Sequence, residues 1–247
     1  MNTGLSSPRV AIIGAGIIGL SCAWEMARRG AHVTLFDSGF HPGRGASWAA
    51  AGMLAPAYEA AGEPGANPRL FDLCIEGVRQ WSAMSGAIRS ATNRDVLHAI
   101  GPSLAVAQTA EDQARMAGLA DALTARHVAF DALSPEEAVQ VEPCLRVGNR
   151  GALRLPTDGQ VDNRLLVDAL IRALEQHEQV AFVKGTAPLD LVQGRIVLDG
   201  FDRVLLAAGW ETARVMAGGS ALGEIAPVLQ DIQPVAGASL DVRAWRA

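Results

Sequence analysis

Residues 9–37 have the sequence RVAIIGAGIIGLSCAWEMARRGAHVTLFD, and this stretch indicates the fold. Residues 9–13 are mostly apolar and β-branched, which predicts a buried strand. Residues 17–29 have the apolar spacing of a helix, and residues 32–36 predict a second strand that ends at Asp37. A strand, a helix and a strand in this order predict a parallel sheet with a right-handed crossover.

Three glycines lie in the turn between the first predicted strand and the helix: Gly14, Gly16 and Gly19. This G-x-G-x-x-G pattern is typical of dinucleotide-binding domains. The first glycine permits the tight turn, the second admits a pyrophosphate, and the third lets helix and strand pack closely. The pyrophosphate then lies at the positive end of the helix dipole. A glycine-rich turn without a ligand is the alternative.

An acidic residue follows the glycine pattern at a distance that fits the same interpretation. Asp37 comes 23 residues after Gly14, close to the roughly 20 residues expected for a carboxylate that binds a ribose hydroxyl. A carboxylate at this position repels a 2′-phosphate. The pattern therefore favours FAD or NAD over NADP.

A run of small residues follows the second predicted strand. Residues 44–56 have the sequence RGASWAAAGMLAP. Small side chains let backbone amides approach a large flat ligand, and the Ser47 hydroxyl can donate a hydrogen bond to a phosphate. The alternative is a flexible loop of alanine and glycine.

Four segments together resemble one enzyme family. The run at 44–56 resembles the flavin-contacting segment of the glycine oxidase and D-amino-acid oxidase family of FAD-dependent amine oxidoreductases. Residues 155–162 resemble the strand and turn before that family's central helix, residues 206–210 a glycine turn near its flavin, and residues 233–237 a Pro-Val-basic-Gly element. Within the family, the sequence is most similar to the glycine oxidases of thiamine biosynthesis.

The resemblance implies FAD as the cofactor and assigns residues to its parts. For the pyrophosphate turn these are Gly14, Gly16, Ile17, Ile18 and Gly19; for the ribose, Asp37 and Ser38; for the phosphates, Ala46 and Ser47; for the isoalloxazine, Ala51, Gly52 and Met53; for the adenine, Ala187; and near the flavin, Gly209. The Ala187 position is the weakest of these, because the neighbouring Pro188 lacks an N–H group. No catalytic residue is assigned.

The remaining sequence predicts an α/β fold with an inserted domain. Residues 39–68 lack periodicity, and the further elements are helices at 69–84, 111–126 and 163–178 and strands at 96–107, 180–184, 188–192, 195–198 and 203–208. With the resemblance, this pattern predicts a discontinuous Rossmann-like FAD-binding domain at 1–58 and 151–235. A mixed α+β insert at 59–150, with 236–247, is then part of a substrate domain.

The activity that the resemblance implies is oxidation of glycine or a small D-amino acid to the imino acid. A hydride passes to the flavin, and oxygen then reoxidises the flavin and yields hydrogen peroxide. A role in forming the thiazole of thiamine is implied with it. Two alternatives remain open: an amine dehydrogenase of the same fold that does not use oxygen, and a catalytically silent truncated chain or FAD-binding module.

The sequence departs from the family pattern in two places. Ala236 stands where the family has a basic residue, and the chain ends at Ala247 although family members are typically longer. The resemblance implies that the later part carries the arginine that pairs with the substrate carboxylate and the active-site tyrosine. We therefore expect the 247-residue chain alone not to oxidise amino acids.

Composition and charge exclude several other functions. The net charge is −5 and Lys and Arg form no cluster, which argues against nucleic-acid binding. The five histidines show no metal-ligand spacing, and we predict no metal site. The uncharged run from Val10 to Trp24 is shorter than the roughly 20 residues that span a bilayer. Three scattered cysteines indicate a reducing compartment, so we expect a cytoplasmic protein, with a homo-oligomer left open.

Overall fold

The structure is a computed structural model that describes residues 7–39, 45–60, 68–145, 148–193, 195–212 and 215. Within these ranges the strands are β1 (Arg9–Ile13), β2 (His32–Asp37), β3 (Met53–Leu54), β4 (His98–Ile100), β5 (Ser103–Val106), β6 (Asp131–Leu133), β7 (Ala152–Leu155), β8 (Gly159–Val161), β9 (Val180–Lys184), β10 (Asp190–Val192), β11 (Arg195–Val197) and β12 (Arg203–Leu206). The α-helices are α1 (Ile17–Arg28), α2 (Ala46–Ala49), α3 (Pro68–Thr92), α4 (Ala110–Ala125), α5 (Pro135–Val141) and α6 (Asn163–Glu175).

The described residues cluster into two compact units. The first unit contains the residues up to Ala51, Ile88–Arg94 and the residues from Asn163 onward. The second unit contains Gly52–Ala87 and Asp95–Asp162. Each unit has its own sheets.

The domain bounds predicted from the sequence differ from those of the units. The FAD-binding domain at 1–58 and 151–235 stays a prediction, as does the insert at 59–150 with 236–247. The segment 233–237, which carries part of the family resemblance, lies outside the described residues.

A four-stranded parallel sheet forms the centre of the first unit, in the order β12-β1-β2-β9. The register places Ile12 beside Leu205 on one neighbouring strand and beside Leu35 on the other. All residues of β1 after Arg9 are buried, because a parallel sheet is covered on both faces. This arrangement confirms the predicted α/β fold.

Helices α1 and α6 pack against each other in the first unit. The buried face of α1 includes Leu20, Ala23, Trp24 and Ala27. The buried face of α6 consists of Leu166, Val167, Ala169, Leu170, Ala173 and Leu174. Residues at this spacing form one stripe of a helix, so the helix predicted from residue 163 is confirmed.

The second unit contains two antiparallel sheets, in the orders β3-β8-β4 and β5-β7-β6. Its core consists of Ala57, Phe71, Ala105, Leu119, Leu123, Leu153 and Leu155. The strand predicted over 96–107 forms as two strands, because Gly101 has a φ of +64° and separates β4 from β5.

Helix α3 is longer than the predicted span of 69–84 and has 25 residues. Its last turns are held by the buried Ile88, and the Thr92 hydroxyl donates a hydrogen bond of 2.8 Å to the Ile88 carbonyl. In the described ranges no helix, α3 included, is both long and apolar enough to cross a membrane.

Candidate cofactor-binding site

The turn between β1 and α1 has the geometry that its glycines predict. Gly14 has a φ of +106°, and its N–H group donates a hydrogen bond of 2.8 Å to the Phe36 carbonyl. A Cβ atom on Gly14 would overlap the Ala207 carbonyl, and one on Gly19 would overlap the Gly14 carbonyl. These two glycines are therefore required by the packing of the chain itself.

Gly16 differs from its two neighbours in the pattern. In the part of the chain that the structure describes, a Cβ atom on Gly16 would meet one group within 4 Å, the Ser47 hydroxyl at 3.3 Å. The chain around Gly16 thus leaves room for a ligand to approach the backbone. The next residue, Ile17, begins α1, and the N–H groups of Ile18 and Gly19 in this first turn have no acceptor within the helix.

Asp37 links the glycine turn to the end of β2. Its Oδ2 atom accepts a hydrogen bond of 2.7 Å from the Ala15 N–H, and its Oδ1 atom accepts one of 2.7 Å from the Gly39 N–H. A carboxylate oxygen can accept two hydrogen bonds, so both oxygens retain capacity for ribose hydroxyls. Asp37 therefore fixes the turn as well as offering a ligand site.

Ser47 lies on α2, next to the start of α1. Its Oγ atom accepts a hydrogen bond of 2.9 Å from the Ile17 N–H. The hydroxyl hydrogen is then available to a second acceptor. A phosphate oxygen at the N-terminus of α1 would meet this donor together with the positive end of the helix dipole.

The other predicted cofactor-binding residues of the first unit include several exposed side chains and one glycine turn. Ile18 is 64% exposed, and Ser38, Ala46 and Ala51 are also exposed. Gly209 has a φ of +57° and begins the 3-10 turn Gly209–Glu211 after β12. The structure brings these residues to the first unit, and their contacts with a cofactor stay predictions.

Ala187 lies in the connection between β9 and β10. It is partly buried, and its carbonyl accepts a hydrogen bond of 2.9 Å from the Leu189 N–H. Its contact with adenine stays a prediction.

Gly52 and Met53 belong to the second unit. Gly52 has a φ of +75°, and its carbonyl accepts a hydrogen bond of 2.8 Å from the Val161 N–H. Met53 pairs with Gln160 in β3 and β8 and is 58% exposed. Their assignment to the isoalloxazine stays a prediction.

Asn163 was not predicted from the sequence. Its Nδ2 atom donates hydrogen bonds to the Ser47 carbonyl at 2.7 Å and to the Trp48 carbonyl at 3.1 Å. The partners are 116 and 115 residues away in the chain, and no local pattern links them. The one feature of the sequence that could have drawn attention to Asn163 is its place at the start of the predicted helix.

Asp158 is a second residue that the sequence did not single out. It is fully buried, and its carboxylate accepts hydrogen bonds from the Ala57 N–H at 2.8 Å and the Tyr58 N–H at 3.0 Å. Burial raises the pKa of Asp158, and the two backbone hydrogen bonds oppose that rise without cancelling it. The carboxylate holds the π-helical turn Pro56–Ala60 in the second unit.

The described residues fit a dinucleotide with a diphosphate. The space at Gly16 is one that a Cβ atom would fill, and the Ser47 hydroxyl faces it. Ser47 and Asp37, which we expect to bind the diphosphate and the ribose, accept hydrogen bonds from Ile17 and Ala15 of the same turn. In the ranges that the structure covers, no group of three or more His, Cys, Asp or Glu residues could hold a metal ion.

The parallel sheet, the glycine turn and the carboxylate at the end of β2 define a protein with a Rossmann-like dinucleotide-binding fold. The DAO family, described as FAD dependent oxidoreductase, matches residues 9–247. The chain belongs to this family of FAD-dependent oxidoreductases.

Two curated relatives are both glycine oxidases. That of Geobacillus kaustophilus is 30% identical over 254 residues, which cover 95% of this chain and 61% of the relative. That of Pseudomonas aeruginosa is 30% identical over 223 residues, which cover 82% of this chain and 56% of the relative. The chain thus spans about three fifths of the length of these relatives.

Solved structures agree with this membership. The crystal structure of Geobacillus kaustophilus glycine oxidase is 28% identical, with a TM-score of 0.74, and the match covers 85% of this chain and 58% of that one. The crystal structure of iminodiacetate oxidase from Chelativorans sp. BNC1 is 26% identical, with a TM-score of 0.68, and the match covers 85% and 57%. Both share the fold of this chain.

Proposed function

We propose that this chain holds FAD for the oxidation of glycine or a small D-amino acid to the imino acid, with formation of hydrogen peroxide. The observation that carries the proposal is the meeting of Gly16, Ser47 and Asp37 at the N-terminus of α1. A flavin dinucleotide requires open space and a donor for its diphosphate and an acceptor for its ribose at this place.

Each of these residues has a distinct part in holding the cofactor. Gly16 leaves the backbone open to the diphosphate, and the Ser47 hydroxyl donates to one of its oxygens. The N–H groups of Ile18 and Gly19 add the positive end of the helix dipole. Asp37 accepts hydrogen bonds from the ribose while it keeps its bond from the Ala15 N–H.

FAD, when bound, supplies the two-electron acceptor for the amine. In the overall reaction one C–H and one N–H bond of the amino acid break and a C=N bond forms. Oxygen takes up the two electrons and two protons as hydrogen peroxide. The chain's own contribution in this proposal is to bind and orient the cofactor.

The substrate class is supported by the relatives. Two are named glycine oxidases, and a third is named iminodiacetate oxidase. Glycine and iminodiacetate share an amino group on a carbon next to a carboxylate. We therefore propose a small α-amino acid with a primary or secondary amine, without assigning a substrate-binding residue.

The cellular setting is part of the same proposal. The resemblance to glycine oxidases of thiamine biosynthesis supports a role in thiazole formation. The scattered positions of Cys22, Cys74 and Cys144 support a reducing compartment such as the cytoplasm.

The test is a peroxide assay on the complete product of the gene that encodes this sequence, loaded with FAD. Glycine, sarcosine and D-alanine are offered in turn, and hydrogen peroxide is measured with and without oxygen. We expect peroxide with at least one of the three. Flavin reduction without peroxide in air would instead identify an amine dehydrogenase, and no reduction by any of them would contradict the proposed substrate class.

A further inference from the structure

One side chain connects α6 to the short helix that carries Ser47. The Asn163 amide donates to two successive carbonyls of α2, that of Ser47 at 2.7 Å and that of Trp48 at 3.1 Å. An amide nitrogen has two hydrogens, so both donors of Asn163 are used on this segment. Asn163 thus fixes two adjacent peptide groups at once.

Helix α2 is held by contacts from α1 and α6: besides the bonds of Asn163, the Ile17 N–H donates to the Ser47 hydroxyl, and the Arg164 guanidinium lies 5.7 Å from the centre of the Trp48 ring. Helix α2 has four residues, and none of them is buried. A helix of one turn is not stable by itself, because its own hydrogen bonds are too few to offset the ordering of its backbone. The contacts that reach α2 from other elements therefore determine where it lies.

Helix α6, in contrast, is firmly packed. Six of its residues are buried, and it lies against α1. Asn163 is the first residue of α6, so its amide is attached to a firmly packed helix. That helix packs on α1, and the Ile17 N–H at the start of α1 donates to the Ser47 hydroxyl.

Hydrogen bonds link α6 to α2 and α2 to α1, and α1 in turn packs on α6. Asn163 holds the Ser47 carbonyl, and the Ser47 hydroxyl meets the Ile17 N–H at 2.9 Å. Arg164 adds a longer hydrogen bond of 3.4 Å to the Trp48 carbonyl from an exposed position. Asn163 bonds directly to the Ser47 backbone.

We propose that Asn163 is a positioning residue for the FAD diphosphate and that it acts through Ser47. This inference rests on the proposed function, in which the Ser47 hydroxyl donates to a phosphate oxygen. Without the Asn163 amide, α2 loses its fixed place and the hydroxyl is no longer held at the N-terminus of α1. The cost falls on FAD affinity, because the donor must then be ordered at the moment of binding.

The test is a double-mutant cycle on FAD affinity with wild type, Ser47→Ala, Asn163→Ala and the double variant. Dissociation constants are measured by flavin fluorescence titration, and melting temperatures are measured on the apoproteins. We expect each single variant to weaken FAD binding about tenfold or more. The double variant should be no weaker than the weaker single variant, because both remove the same contact.

A second variant keeps the test decisive if Asn163→Ala folds poorly. Asn163→Asp preserves the shape of the side chain, and an acidic residue at the start of α6 suits the helix dipole, so the fold is retained. It removes both donor hydrogens. If the added charge simply repelled FAD, Asn163→Asp would weaken FAD binding in a Ser47→Ala background as well. If Asn163→Asp acts by removing the positioning contact, it would cause no further loss of FAD affinity in that background.

Asn149→Ala is the matched control. Like Asn163, Asn149 is an amide that bonds to backbone groups: it donates to the Pro135 carbonyl and accepts from the Gly151 N–H in the second unit, where it is buried. We expect this variant to lower the melting temperature and leave FAD affinity at the wild-type value.

The outcomes separate the two levels of the proposal. Additive losses in the double variant, or wild-type affinity in Asn163→Asp, would overturn the role of Asn163 and leave Ser47 as a phosphate ligand. Wild-type affinity in Ser47→Ala would overturn the assignment of Ser47 and the inference with it. Failure of the wild-type protein to bind FAD would overturn the proposed function itself.

Discussion

The Asp37 carboxylate accepts a hydrogen bond of 2.7 Å from the N–H group of Ala15, which lies in the glycine turn. The residue that ends β2 thus shapes the turn that follows β1, and we predict that its oxygens also bind a ribose. An amide at this position retains one acceptor oxygen and loses the charge, so Asp37→Asn weakens both functions in part.

Asp37→Ala should weaken FAD binding by about 1.5–3 kcal/mol, which is roughly a 10- to 150-fold rise in Kd. The FAD affinity of Asp37→Asn should lie between those of Asp37→Ala and the wild type, because the amide keeps one acceptor oxygen. Fluorescence titration gives the three dissociation constants. Asp168→Ala, which removes an exposed carboxylate from α6, is the charge-matched control. Equal FAD affinity in wild type and Asp37→Ala would rule out Asp37 as a ribose ligand.

Gly16→Ala should fold and lose FAD. Among the described residues its Cβ would meet only the Ser47 hydroxyl, at 3.3 Å, but it would occupy the predicted approach of the diphosphate. Gly14→Ala and Gly19→Ala should instead lower the stability of the apoprotein, because their Cβ atoms would overlap backbone carbonyls. Melting temperatures of the apoproteins and FAD titrations distinguish the two effects. If Gly16→Ala binds FAD normally, the glycine pattern is only a turn.

Asp158→Ala should destabilise the protein by about 2–5 kcal/mol. The substitution removes the acceptor of the buried Ala57 N–H and of the partly buried Tyr58 N–H; a fully buried group without a partner costs about 1–3 kcal/mol, and a partly buried one costs less. Urea unfolding measures the loss. Asp131→Ala is the control, because its ion pair with Arg154 is at the surface and contributes at most about 1 kcal/mol. Similar losses in both variants would show that Asp158 has no special part in the fold.

The same residue should make stability depend on pH. Burial raises the pKa of Asp158 in the folded chain, so the folded state binds the proton more tightly than the unfolded state does. The free energy of unfolding therefore falls as pH rises from the ordinary carboxyl pKa of about 4 through the raised value. Asp158→Asn does not titrate, so the difference between wild type and this variant isolates the effect.

Urea unfolding of both proteins at several pH values provides the measurement. Relative to Asp158→Asn, the wild type should lose stability with increasing pH over this interval. A wild type that gains stability over the variant as pH rises would mean that the two backbone hydrogen bonds outweigh burial and lower the pKa.

Elements defined by neighbouring residues could be predicted from the sequence. The glycine turn and its flanking strand and helix follow from local periodicity. The start of α5 does as well: the Glu137 N–H donates to the Ser134 hydroxyl at 3.2 Å, and the Ser134 N–H donates to the Glu137 carboxylate at 2.8 Å. This capping box depends on residues three positions apart.

Elements that depend on distant contacts could not be predicted. Residues 39–68 have no periodicity, yet α2 and β3 form within them. Helix α2 is held by Asn163, which is more than 100 residues away, and the turn at Ala57 is held by Asp158, which is 101 residues away. Alanine and glycine carry no signal for such partners, because their side chains have no polar group to satisfy.

The most direct test of FAD binding is an equilibrium titration of the purified 247-residue chain with FAD, followed by absorbance and flavin fluorescence. NAD and NADP serve as competitors, and circular dichroism confirms that the chain is folded. We predict saturable binding of one FAD per chain that neither nicotinamide dinucleotide displaces at the same concentration. A folded chain that shows no saturable FAD binding, or that binds NAD in preference, would contradict the assignment of this fold to a flavin site.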